Sequence, residues 1–188
     1  VQGVYRFDER RILAVRVESG QVAVGDTLLF SPGDKLSQVK SIERWSAPSA
    51  HTAQAGESVG LTLTEPIFVE RGALASLQSS PPLVLRCFKV RLFWLGRQAM
   101  DPSRTYTLKL TTQEVECQIE SIQKVIDASS LVERAGQVVG RREVAELTLR
   151  TRLPLAFDVD LQATGRFVIV DGAELAGGGT IVSARTHK

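Results

Sequence analysis

The stretch R-R-I-L-A-V-R-V-E-S-G-Q-V-A-V-G-D-T-L-L-F-S-P, residues 10–32, decides the fold class. Leu13, Val15 and Val17 alternate with Ala14, Arg16 and Glu18. That is the period of two by which successive side chains of a strand leave opposite faces. Ser19-Gly20 and Pro32-Gly33-Asp34 carry the residues that turn a chain back on itself. The alternation returns at Tyr106, Leu108 and Leu110 and at Ala145, Leu147 and Leu149, with further turn signals at Asp101-Pro102-Ser103 and Asp171-Gly172. Short alternating strands at this spacing predict an all-β chain of antiparallel β-barrels rather than a parallel sheet fed by helices. One window, Ser121–Ala135, has partial helical spacing in Ile122, Val125 and Ile126. It reads as strand then turn, because Asp127-Ala128-Ser129-Ser130 breaks the pattern.

At 188 residues, 43% hydrophobic and 23% charged, the chain has the balance of an ordinary globular protein and the length for two domains with separate cores. Charged residues interrupt every apolar run well before the roughly 18 residues of a membrane span. The start, V-Q-G-V-Y-R-F, has no initiator Met and no leader-like region, as expected of a piece cut from a longer polypeptide. Ser79-Ser80-Pro81-Pro82 supplies the boundary, since proline donates no hydrogen bond and biases its predecessor away from helix. Two antiparallel β-barrels are thus predicted, over residues 1–80 and 84–188, joined by a Pro-rich linker at 79–83.

The formal net charge is +2. Residues 1–80 hold 8 Lys and Arg against 9 Asp and Glu, and residues 81–188 hold 15 against 12, so neither half is a basic surface. Nucleic-acid binding has no support from composition. Arg141-Arg142 and the pair Arg150 and Arg152 are the densest basic patches, but Glu143 and Glu146 interleave with them, which reads as a solvated strand face. Cys87 and Cys117 lie far apart without a C-x-x-C or a histidine neighbour, so neither a zinc site nor a disulfide framework is expected, and a reducing, cytoplasmic setting fits. His51 and His187 are too isolated for a histidine metal site.

Two motifs invite a catalytic reading. Gly56-Glu57-Ser58-Val59-Gly60 fits G-x-S-x-G, with His187 downstream, but that nucleophile needs a strand-to-helix elbow. Ser58 is followed by Val59, Leu61 and Leu63 in strand alternation, so a glycine turn entering a strand is expected. Gly177-Gly178-Gly179 resembles a phosphate cradle, yet the strand-like Thr180-Ile181-Val182 follows it, and close strand packing is expected instead. A phosphate-binding loop is excluded within this chain, which contains no Gly-Lys pair, no D-x-x-G and no Asn for guanine recognition. Phe88, Leu92, Phe93, Trp94 and Leu95 are too dense for a one-sided strand and read as core plus a protein interface.

The opening V-Y-R-F-D-E-R-R-I-L-A-V-R-V-E-S-G-Q-V-A-V-G-D-T-L-L-F-S-P resembles the second domain of translation-factor-type GTPases, including elongation factor Tu. V-K-S-I-E-R-W, A-G-E-S-V-G-L-T-L and I-F-V-E-R-G resemble one branch of that family, the GTPase (large) subunit of bacterial ATP sulfate adenylyltransferase. R-C-F-K-V-R-L-F-W-L-G, V-I-D-A-S-S-L and G-R-F-V-I-V-D-G-A-E-L-A-G-G-G-T-I-V resemble its third domain, so the likeness runs from about Val4 to Val182.

The resemblance implies a parent enzyme in which GTP hydrolysis on the large subunit drives adenylyl transfer from ATP to sulfate on a separate small subunit. The family's GTPase domain precedes these barrels and is the expected site of GTP and Mg; in some members an adenylylsulfate kinase domain follows. For the present chain it implies no catalytic, cofactor or metal residue, and as partners its own GTPase domain and the small adenylyltransferase subunit, with neither membrane nor nucleic acid. Phe68, Glu70, Arg71, Phe93 and Trp94 are the interface candidates, since aromatic residues and Arg are enriched at binding hot spots. The rival readings are an RNA-contacting barrel of a translation factor and an independent hydrolase using Ser58.

Overall fold

A computed structural model of the chain describes residues 1–7, 10–134, 136 and 138–184. It divides into two compact units, one of residues 1–82 and one beginning at Leu83. The fold is all-β, and the only helix among the described residues is the four-residue α1 (Gln162–Gly165).

The first unit contains β1 (Gly3–Phe7), β2 (Arg10–Arg16), β3 (Gln21–Ala23), β4 (Thr27–Ser31), β5 (Lys35–Glu43), β6 (Thr52–Gln54), β7 (Ser58–Leu63) and β8 (Leu74–Leu77). Six of these form one antiparallel sheet in the order β1-β2-β7-β5-β4-β8, and β3 pairs with β6 separately. The V-G-D turn shows how local sequence sets this path. Gly25 takes φ 95°, where a side chain would be strained, and the Asp26 carboxylate accepts the Ala23 amide at 2.8 Å. Gly25 N then donates to Val39 O and Val39 N to Asp26 O, both at 2.9 Å, which fastens the turn to β5. The core gathers Leu13, Val15, Leu28, Phe30, Val39, Ile42 and Leu61 from the core-facing sides of their strands. Each such side chain removed from water contributes roughly 1.5–3 kcal/mol.

A closed barrel was expected here, and among the described residues the ladder does not close. No strand pairing joins β1 to β8. Beside the two edges, Gly72 N donates to Val1 O at 2.9 Å and Val1 N to Ala73 O at 2.7 Å.

The second unit contains β9 (Leu83–Trp94), β10 (Tyr106–Leu110), β11 (Gln113–Asp127), β12 (Glu133–Arg134), β13 (Glu143–Phe157), β14 (Arg166–Asp171) and β15 (Glu174–Ala184). The order β10-β14-β15-β9-β13-β11 closes through a β10–β11 ladder into a six-stranded antiparallel barrel, with β12 added to the end of β11. Phe88, Val90, Leu92, Leu108, Leu110, Leu147 and Leu149 fill it, and Phe88 meets Phe157 edge-on at 5.1 Å between ring centroids. β11 runs as strand through Ile122, Val125 and Ile126, as expected. It ends where the Asp127 carboxylate accepts the Ser129 and Ser130 amides, at 3.0 and 2.7 Å.

Candidate interaction site

The segment between β7 and β8 crosses one end of the first unit's sheet. Ile67 packs against the core and Val69 is buried, so strand-like alternation turns Phe68 outward, 62% exposed. Three consecutive carbonyls of this segment each receive a cationic donor. Arg11 donates through Nη1 to Ile67 O and through Nη2 to Val69 O, each at 3.1 Å, and Lys35 Nζ donates to Phe68 O at 2.7 Å. The same two cations lie 5.4 and 5.2 Å from the centroid of the Phe68 ring, within cation–π range. Ser37 Oγ fixes the start of the segment by donating to Glu65 O at 3.3 Å. An exposed aromatic ring therefore stands on a backbone that charge-assisted hydrogen bonds hold in place.

The other candidates separate by position. Glu70 and Arg71 are exposed in the same segment, and Arg71 Nη1 donates to Gln2 O at 2.6 Å. Phe93 lies on the outer face of the closed barrel, 37% exposed, opposite Val144 on one side and Gly178 on the other. Trp94, one residue on, points the other way. It is 2% exposed, donates from Nε1 to Gln98 O at 2.8 Å and meets Tyr106 edge-on at 5.6 Å. Its ring belongs to the core and is not offered to a partner. Arg11 and Lys35 belong to no sequence motif; the one signal they carry is a cation near the start of a strand, on the core-facing phase of Leu13 and Val39.

The catalytic-looking motifs resolve into turns and packing. Ser58 opens β7, opposite Arg16 of β2, and no helix follows it; His187 lies outside the described residues. Gly177 and Gly179 occupy core-facing positions of β15, opposite Trp94 and Leu92 of β9. A Cβ on Gly177 would sit 2.6 Å from Phe93 O, and one on Gly179 would collide with Arg91 O. The triplet therefore serves close strand approach. The basic patches behave similarly: Arg150 pairs with Glu120 at 2.5 Å and Arg152 with Glu116 at 3.0 Å, while Arg141 and Arg142 are exposed at the turn into β13. No group of three or more His, Cys, Asp or Glu side chains among the described residues could hold a metal ion.

Both cysteines are buried, and Cys87 Sγ donates to Glu120 Oε2 at 2.7 Å. Burial pushes the Cys117 thiol up from 9.0 to about 12. Its raised value means the unfolded chain releases this proton first as pH rises. The associated stability is complete below about pH 9 and is lost between there and about pH 12. We expect alkylation of Cys117 to track global unfolding at mildly alkaline pH, followed by mass spectrometry across denaturant. Cys117→Val should flatten the loss of stability on the alkaline side; rapid labelling in native buffer would contradict this burial.

No described helix is long and apolar enough to cross a membrane. The family described as GTP-eEF1A C-terminal domain-like matches residues 87–182. Among curated relatives, the bifunctional enzyme NodQ of Rhizobium tropici is 30% identical over 162 residues, spanning 84% of this chain and 25% of that protein. Sulfate adenylyltransferase subunit 1 of Aeromonas hydrophila is 29% identical over 163 residues, spanning 86% of this chain and 34% of that protein. The chain thus spans about a quarter to a third of the curated relatives it matches. A crystal structure of Sup35 complexed with GDP superposes on 97% of this chain, and 46% of that one, with a TM-score of 0.88 at 16% identity, a likeness of fold. The chain therefore belongs to the GTP-eEF1A C-terminal domain-like family and is homologous to sulfate adenylyltransferase subunit 1 and NodQ.

Proposed function

We propose that this chain is the non-catalytic β-region of the GTPase subunit of a cytoplasmic sulfate adenylyltransferase, supporting GTP-driven formation of adenylylsulfate from ATP and sulfate through contacts with its GTPase domain and with the small subunit. The observation that carries this reading is the homology to sulfate adenylyltransferase subunit 1 over 82–86% of the chain. The chain has no Gly-Lys pair for a phosphate-binding loop and no Asn for the guanine motif, so in this reading GTP and Mg belong to the parent's GTPase domain. What the chain supplies is rigid surface. The Phe68 segment with Glu70 and Arg71 lies on one unit and Phe93 on the other, and each is positioned by strands whose inward side chains are fixed in a packed core. Such surfaces act on adenylyl transfer by binding and orientation, not by bond making.

The test places Arg71→Ala and Phe93→Ala in the full-length large subunit and measures both complex formation and GTP-stimulated adenylylsulfate synthesis. Both side chains are exposed, so folding should persist while assembly or GTP stimulation falls. If both quantities stay at the parent's level in both variants, these surfaces have no part in the activity.

A further inference from the structure

We infer that the Phe68 ring, with Arg6, Arg11 and Lys35, is a docking site for an extended acidic segment of a partner protein, one that seats an apolar side chain on the ring between its carboxylates. The inference does not depend on which enzyme the chain serves. Charge complementarity carries it. Arg6 stands directly opposite Arg11 in the β1–β2 ladder, a like-charge pairing that costs stability unless something compensates it. Lys35 approaches the ring from β5. Among the described residues, none of these three cations lies in an ion pair, whereas Arg91, Arg104, Arg150 and Arg152 of the second unit all do.

The ring itself has the makings of an anchor. Phe68 is 62% exposed between two residues that pack inward, and the carbonyls of Ile67, Phe68 and Val69 are each held by a cation. A partner meeting this surface has little backbone freedom left to remove, which lowers the cost of binding. Spacing of charge favours peptide over nucleic acid. Glu65 and Glu70 are exposed on either side of Phe68 in the same segment, so a continuous phosphate backbone would meet a carboxylate at each flank. A peptide can place isolated carboxylates on Arg6, Arg11 and Lys35 and avoid both glutamates.

The experiment titrates the full chain with three probes: a blocked peptide of alternating aspartate and leucine, its lysine–leucine counterpart, and an oligouridylate of equal length. Anisotropy reads the affinity and NMR reads the Phe68 ring and the Lys35 side chain. The aspartate peptide should bind alone among the three, shift both residues and weaken with salt. Phe68→Ala should lower its affinity about tenfold or more. Lys35→Gln should lower both its affinity and its salt dependence, with each variant still fully folded at the temperature of the titration. The inference is overturned if the aspartate peptide does not bind, if it binds Phe68→Ala as well as the parent chain, or if the oligouridylate takes the ring in its place.

Discussion

Gly179→Ala should destabilise the closed barrel severely, whereas Gly178→Ala, one residue away, should leave it nearly unchanged. The contrast follows from which side of β15 each residue faces. Gly179 is core-facing, and its added Cβ would lie 3.0 Å from Leu92 Cα while colliding with the Arg91 carbonyl. These are backbone atoms held in the β9 ladder, so they cannot turn aside as a side chain would. Overpacking typically costs about 1–3 kcal/mol, and a collision with backbone belongs at or above the upper end, about 3 kcal/mol. Gly178 faces outward, where a new Cβ would meet Phe167 O at 3.4 Å and Val168 Cγ1 at 3.7 Å, near ordinary contact. That change should fall within about 0.5 kcal/mol. Denaturant unfolding of the two variants checks this directly; equal midpoints would mean that the triplet is not there for packing.

Trp94→Ala and Phe93→Ala should separate in the same way. Trp94 loses a buried indole, its contact with Tyr106 and its hydrogen bond to Gln98 O. Large aromatic truncations in a core cost about 3–5 kcal/mol. Phe93 loses a ring that is already 37% exposed, and a cost of about 1 kcal/mol is expected. Calorimetry of both variants reads the difference. Any loss of binding in Trp94→Ala is then a consequence of damaged folding, whereas a loss in Phe93→Ala reports on the surface. Comparable melting temperatures would contradict the placement of Trp94 in the core.

Strand class was legible because alternation in Leu13–Val17, Tyr106–Leu110 and Ala145–Leu149 is a direct image of the pleat. Where the ladder slips, that image blurs. β11 shifts register between Ile119 and Ser121 and again between Ile122 and Lys124, so its apolar residues fall out of period two and take on a helical spacing. Closure is harder still to read, since it depends on which strands come to lie at the two edges of a sheet and whether those two then pair. β10 and β11 do, and β1 and β8 do not. Phe68 could be picked out by its chemistry alone. The cations beneath it could not, because Arg11 is 56 and 58 residues from the carbonyls it holds and Lys35 is 33 from its own. Phe93 and Trp94 show the opposite case. Both are aromatic hot-spot types, and only strand phase distinguishes the one that faces solvent from the one that fills the barrel.

The central claim, that this chain serves a sulfate-activating complex through protein contacts, is tested most directly by titrating it with the purified small adenylyltransferase subunit, with tRNA as the parallel titrant. The expected result is saturable binding to the small subunit, weakened by Arg71→Ala or Phe93→Ala, and none to tRNA. Binding to tRNA and not to the small subunit would contradict it and make the chain an RNA-contacting barrel module.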